Sequence, residues 1–226
     1  MSMSRLGRLA GLAAVVAVLA GCGNVNPGVA VRAGDETVTV RDVDDTTADY
    51  CEAIQTQLKA NQQVVPLRYF RSGITGVLAQ RSVAEQLAAK YDVEPGELYD
   101  EKVVQVEQSV RTLDAGAREA VVTIETAGTY IEGVQAAVGK LLLGEEGTTG
   151  AQYSDQVARG RQAYEDWISE NGVTFDPQFG IGMVKGNIEP VDTAVSFPVG
   201  ANAKAGAAGQ PDQAYAKSLP GAHSCG

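Results

Sequence analysis

The chain has 226 residues, with 28 acidic against 18 basic side chains and a single histidine, for a formal net charge of −10. That length fits one domain of ~100–200 residues, alone or with a tail, and 44% hydrophobic against 20% charged residues supplies a sizeable core rather than wholesale disorder. The acid excess leaves no basic stripe to neutralise phosphates, which argues against nucleic-acid binding, and one histidine, His223, removes two-histidine metal sites and all but a tail-borne Ser/His/Asp triad. No cofactor and no metal is implied; binding, folding assistance or structure remains.

Arg5 and Arg8 precede an uncharged run of Leu, Ala, Val and Gly over residues 9–21. As a helix it would reach ~20 Å, well short of a ~30 Å hydrocarbon core, so residues 1–21 read as a signal segment rather than a permanent span. The run ends in Leu19-Ala20-Gly21-Cys22, which resembles the lipobox of bacterial lipoproteins. The resemblance implies cleavage between Gly21 and Cys22 and a diacylglycerol thioether on Cys22; the alternative is an ordinary signal peptide with a chance cysteine. Small side chains before the cut admit a peptidase, and the thiol is the nucleophile that accepts the lipid. Two or more acyl chains, at ~0.8 kcal/mol per buried CH₂, would hold the protein stably on the outer face of the bacterial cell membrane. Loss of residues 1–21 removes two arginines and no acid, so anionic lipid would repel the body and residues 22–27 would act as a lipidated tether.

With Cys22 lipidated, Cys51 and Cys225 remain, an even count in a compartment where disulfides persist. Bridging them would bring the C-terminal tail back to the N-terminal helix, with a chain-entropy gain of roughly 5 kcal/mol as an upper bound. Two independent thiols, one buried and one frayed, are the alternative.

Beyond the tether, residues 29–31 and 37–40 are short β-branched runs flanking Gly34 and Asp35, and predict a hairpin. Asp42 or Asp44 can cap the helix that follows, in which Tyr50, Ile54 and Leu58 recur at four-residue spacing. Pro66 breaks the chain. From residue 67 to about 91, Phe70, Ile74, Val77, Leu78, Val83 and Leu87 define one apolar face, tolerating Gly73 and Gly76 at some cost. Pro95 falls at the first turn of a third helix with Val103, Val106 and Val110 inside and Glu107 four residues before Arg111. Residues 114–116 break it. The strongest helical pattern runs from about 117 to 143 through Val121, Ile124, Tyr130, Val134, Val138 and Leu142. Residues 144–150 are a linker by composition. A fifth helix, about 154–169, buries Val157, Tyr164, Trp167 and Ile168 and stops at Asn171-Gly172. Val173-Thr174-Phe175 reads as a strand, and beyond Gly180 the Gly/Ala-rich residues 181–226 read as a loosely ordered tail.

The lipobox, the run Val-Ala-Val-Arg-Ala-Gly-Asp-Glu-Thr-Val-Thr-Val from Val29 to Val40, and the helix entered through Asp42-Val43-Asp44 together resemble the N-terminal domain of SurA/PrsA-type foldases. Val-Thr-Phe-Asp-Pro-Gln-Phe-Gly, Val173 to Gly180, is similar to the late strand of bacterial SurA-domain lipoproteins, departing from it at Gln178, where arginine is common. The resemblance covers residues 28–180. It implies a mainly α domain with a small β element, the N-terminal hairpin pairing with the late strand, and a cradle that holds unfolded or partly folded exported polypeptides. Foldases of this type commonly carry a parvulin prolyl isomerase domain with paired histidines before the last helix. Here the corresponding gap runs only from Gly144 to about Tyr153 and His223 stands alone, so no isomerase activity is implied. A lipoprotein serving one dedicated envelope partner and a diverged prolyl isomerase are the competing readings.

Tyr69, Phe70, Tyr91, Tyr99 and Tyr130 offer amphipathic contact area, though each taken singly is better read as core or ordinary surface. Gly180-Ile181-Gly182-Met183-Val184-Lys185-Gly186 fails the spacing of a dinucleotide loop and reads as a flexible strand exit. Asp42-Val43-Asp44-Asp45 lacks the ligand and glycine a calcium loop needs next, and Glu145-Glu146 reads as solvated charge.

Overall fold

The computed structural model describes residues 27–192, 198–208 and 212–226. The signal segment 1–21, the cleavage site Gly21-Cys22 and all but Pro27 of the tether lie outside the described residues.

Strands β1 (Val29–Ala33) and β2 (Glu36–Thr39) form the hairpin, with Val31 opposite Val38 and Ala33 opposite Glu36. Gly34 turns the chain at φ +56°, and a Cβ there would stand 2.9 Å from the Trp167 ring, so this position needs both the left-handed backbone and the missing side chain. Helix α1 (Val40–Ala60) is capped by Thr39 rather than by Asp42 or Asp44. The Thr39 hydroxyl accepts from the Asp42 N–H at 3.1 Å, and the Asp42 carboxylate accepts from the Thr39 N–H at 2.9 Å, a reciprocal capping box. The Thr39 hydroxyl and N–H hold the Asp42 carboxyl below its ordinary range. Asp44 instead pairs with Arg71 at 2.6 Å, tying α1 to the next helix.

The two-residue strand β3 (Val65–Pro66) ends at the proline break, and α2 (Leu67–Tyr91) follows at once. Helix α3 (Glu97–Val110) takes Gly96, at φ +86°, as its N-cap. Pro95 therefore precedes the helix rather than occupying its first turn, and its carbonyl lies against Gly133 of α4 (Ala115–Glu145). Asp114 caps α4 by accepting from the Ala117 N–H at 3.0 Å. Helix α5 (Tyr153–Asn171) stops at Gly172, φ +77°, and leads into β4 (Val173–Phe175).

The fold is mainly helical with small antiparallel sheets. β4 lies beside β1, with Val31 opposite Phe175 and Ala33 opposite Val173, so the late strand completes a β2–β1–β4 sheet. Two apolar clusters hold this arrangement. Val83, Leu87, Val134, Val138, Tyr164 and Trp167 fill the space among α2, α4 and α5, and Val31, Val43, Ala79, Phe179 and Ile181 seal the sheet against α1 and α2. The buried Thr75 and Thr126 hydroxyls donate to carbonyls one turn back, at Arg71 and Val122, so neither is left without a partner.

The expected loosening beyond Gly180 is not what residues 181–192 do. A 3₁₀ turn, Pro177–Phe179, leads into β5 (Ile181–Val184), which folds back on β6 (Asn187–Pro190) through Lys185 and Gly186, both at positive φ. Ile181 is buried and Ile188 rests on Gly76 of α2, where a Cβ would stand 3.0 Å from the isoleucine. Two short helices, α6 (Ala201–Ala207) and α7 (Gln213–Ser218), precede β7 (Ser224–Cys225), which pairs with β3. The Gln213 amide donates to the Val64 carbonyl at 3.0 Å and accepts from the Val64 N–H at 3.2 Å, extending that contact.

Helices α4 and α5 meet backbone to backbone. A Cβ on Gly160 would lie 1.7 Å from the Gln135 carbonyl oxygen, and one on Gly139 would lie 1.8 Å from that of Gln156. No rotamer change relieves a clash with main chain, so Gly160→Ala should destabilise by about 2–3 kcal/mol despite alanine's better helix propensity. Gly73, in α2, has nothing within 4 Å of the same position, and Gly73→Ala should stabilise by about 0.5–1 kcal/mol. Urea unfolding of the two variants should show these opposite signs.

Candidate functional site

Helix α3 is held less fully than its neighbours. It buries only Val106 and Val110, against Val121 of α4, with Tyr50, Ala53 and Leu113 partly buried around them. At its N-terminal end the Tyr99 ring meets Tyr130 edge-on at 5.1 Å, and the Arg81 guanidinium covers Tyr130 at 4.8 Å while pairing with Glu85 at 2.8 Å. Burial is the main cause that lifts the Tyr130 phenol above its ordinary pKa. Between these anchors the flank of α3 stands away from α4 and leaves a groove.

The groove has two stretches. One, of about 580 Å³, is lined by Leu98, Glu101, Lys102 and Gln105 of α3, by Glu125, Gly128, Thr129 and Glu132 of α4, and by Tyr153 at the start of α5. The helical positions recur three and four residues apart, so each helix offers one continuous face. The second stretch, of about 460 Å³, shares Lys102, Gln105 and Glu125 with the first and continues to Ala53, Ile54 and Gln57 of α1 and to Leu113. Leu98, 57% exposed, and Tyr153, 44% exposed, stand at the open end. On the floor, a Cβ at Gly128 would meet nothing within 4 Å.

Two carboxylates of the groove are oriented by phenols. The Tyr50 hydroxyl donates to Glu125 Oε1 at 2.5 Å, and Tyr153 donates to Glu132 Oε1 at 3.2 Å. Tyr50 also meets the Phe70 ring edge-on at 6.1 Å. Burial first, and then the Glu125 carboxylate that accepts its proton, push the Tyr50 phenol well above its ordinary pKa.

Of the aromatic residues singled out in the sequence, Phe70, Tyr99 and Tyr130 are used in ring contacts inside the helical body, and Tyr91 packs at the edge of the main core. Tyr69 is 47% exposed but does not line the groove. The groove's exposed large hydrophobic side chains, Leu98 and Tyr153, were not legible as site residues: Leu98 falls off the Val103–Val106–Val110 stripe, and Tyr153 precedes the apolar pattern of α5.

The remaining positions of interest have structural roles. Gly180 to Gly186 forms the entry and turn of the β5–β6 hairpin. Asp42 caps, Asp44 pairs with Arg71, and Asp45 pairs with Arg41 at 3.5 Å. Glu146 is not simply solvated: Arg159 of α5 reaches it at 2.9 Å and links the two ends of the 146–152 connection. Among the described residues no group of three or more His, Cys, Asp or Glu side chains could hold a metal ion, and no helix is long and apolar enough to cross a membrane. Cys51 and Cys225 are joined in a disulfide with Cα atoms 5.8 Å apart, which fastens β7 to the middle of α1. No family model, curated protein or solved structure matches the chain.

Burial alone raises the Tyr164 phenol, as it dominates at Tyr50. A phenol whose folded pKa exceeds its unfolded value near 10 contributes stability that is intact below pH 10 and is lost as pH rises further. Chemical denaturation at pH 9 and pH 11 should show that loss, about 1.4 kcal/mol per fully protected phenol at pH 11. Tyr164→Phe should reduce the difference between the two pH values.

Proposed function

We propose that the protein is an exported, lipid-anchored holdase that grips unfolded or partly folded exported polypeptides in the groove along α3 and has no isomerase activity. The observation that carries this reading is an open channel bordered by exposed Leu98 and Tyr153 and floored by the uncovered Gly128. An extended chain could lie along it. From Leu98 to Ser109 the helix rises ~16 Å, the length of about five extended residues.

The topology supports the resemblance to SurA/PrsA-type foldases. The hairpin, the helices and the returning β4 stand in the order that a SurA/PrsA-type N-terminal domain implies, and the stretch between α4 and α5 is only residues 146–152, too short for an inserted domain. Residues 1–22 supply the proposed anchor: after processing at Gly21, lipidated Cys22 would tether the body by residues 22–27, leaving the groove free to meet chains emerging across the membrane.

The full-length protein should suppress light scattering by an unfolded exported protein as it is diluted from denaturant. The double variant Leu98→Ser with Tyr153→Ser should weaken that suppression several-fold while leaving the unfolding midpoint nearly unchanged, because both side chains are exposed. Absence of suppression, with capture of a single envelope protein, would move the reading to a dedicated partner. Cys22→Ser should shift the protein from the membrane to the soluble exported fraction; retention in the membrane would defeat the anchor.

A further inference from the structure

We propose that the groove along α3 selects extended segments that carry basic side chains beside apolar ones, rather than apolar segments in general. The inference rests on the holdase reading and adds the chemistry of the client. Apolar contact comes from Leu98 and Tyr153 at one end and Ile54 at the other. Between them lie three carboxylates, Glu101, Glu125 and Glu132, against one ammonium, Lys102.

The carboxylates are arranged along the path of a bound chain. Glu125 and Glu132 are seven residues apart on one face of α4, a rise of ~10.5 Å, which basic side chains two to four residues apart on an extended peptide can span. Each accepts one phenolic hydrogen bond through Oε1 alone, and a carboxylate with one bond filled keeps acceptor sites for an ammonium or guanidinium group. The phenols also fix the direction in which those oxygens point, so less side-chain freedom is lost when a cation arrives. Glu101 faces them from α3, exposed and with no ion-pair partner among the described residues. An acidic client would meet the same three groups as repulsion, which is discrimination by charge on top of burial.

Fluorescence anisotropy with dye-labelled peptides tests this on the whole protein. A Lys-Leu alternating peptide should bind at least tenfold more tightly than its Glu-Leu counterpart at low salt, with the gap narrowing at 0.5 M salt. Glu101→Gln with Glu132→Gln should weaken the basic peptide about fivefold and leave a Ser-Leu peptide unchanged. Glu107→Gln with Glu119→Gln, which removes the same charge from outside this groove, should change binding of the basic peptide less than twofold. Equal binding of the basic and acidic peptides, or equal loss in the two double variants, would overturn the inference while aggregation suppression survives. If no peptide binds and suppression fails as well, the holdase reading falls with it.

Discussion

The closure of the sheet and the mouth of the groove both depend on the main-chain contact between α4 and α5. Gly139 and Gly160 face opposing carbonyls at distances no side chain could tolerate, so the two helices approach as closely as backbone allows. That approach sets where α5 runs, and α5 in turn delivers its two ends. At one end Trp167 comes to rest over Gly34, and Gly172 turns the chain into β4 beside β1. At the other, Tyr153 is brought to the mouth of the α3 groove. A single pair of missing side chains thus couples the closure of the sheet to the geometry of the candidate site.

Helix α3 is the counterpart to this tight seam. Its buried stripe is two valines wide, and the Tyr99–Tyr130–Arg81 contact steadies only its first turns. A narrow stripe cannot close both flanks of a helix against its neighbours, because an apolar face of roughly 100° is needed to fill the space beside a packed helix. The groove follows from composition as much as from shape: Glu101, Lys102 and Gln105 occupy the turn positions where a sealed bundle would carry Leu or Val.

The sequence made the helices legible because each is bounded by residues with strong local effects: Pro66 before α2, Asp114 before α4 and Gly172 after α5. It made the β1–β4 pairing legible only through order and resemblance. Where it misled, the deciding contacts were distant. Thr39 displaced Asp42 as the cap because the hairpin ends one residue earlier than its β-branched pattern implies. The hairpin 181–190 looked like loose glycine-rich text because its two anchors, Ile181 and Ile188, are isolated in sequence and gain their value only against the sheet cluster and Gly76. Glycines 139 and 160 carried a visible propensity cost and an invisible contact. The groove was least legible of all: its lining converges from α1, α3, α4 and the start of α5, and no single periodicity contains it.

The C-terminal clamp gives the far wall of the groove its footing. Cys225 is fully buried, β7 lies against β3, and the disulfide joins that strand to Cys51, within one turn of Ala53 and Ile54. A helix whose inner face offers only Val43, Thr47 and Leu58 as buried side chains over its 21 residues has few contacts of its own to fix its tilt. A covalent tie at its midpoint, with the Asp44–Arg71 pair near its start and the Gln213–Val64 hydrogen bonds holding the chain four residues beyond its end, limits that tilt. The wall carrying Ile54 is thereby tied, within one turn, to the buried C-terminal strand. In the proposed holdase, the tail would belong to the binding apparatus without touching a client, because a groove of fixed width loses less entropy on closing around an extended chain than one whose wall must first be brought to rest.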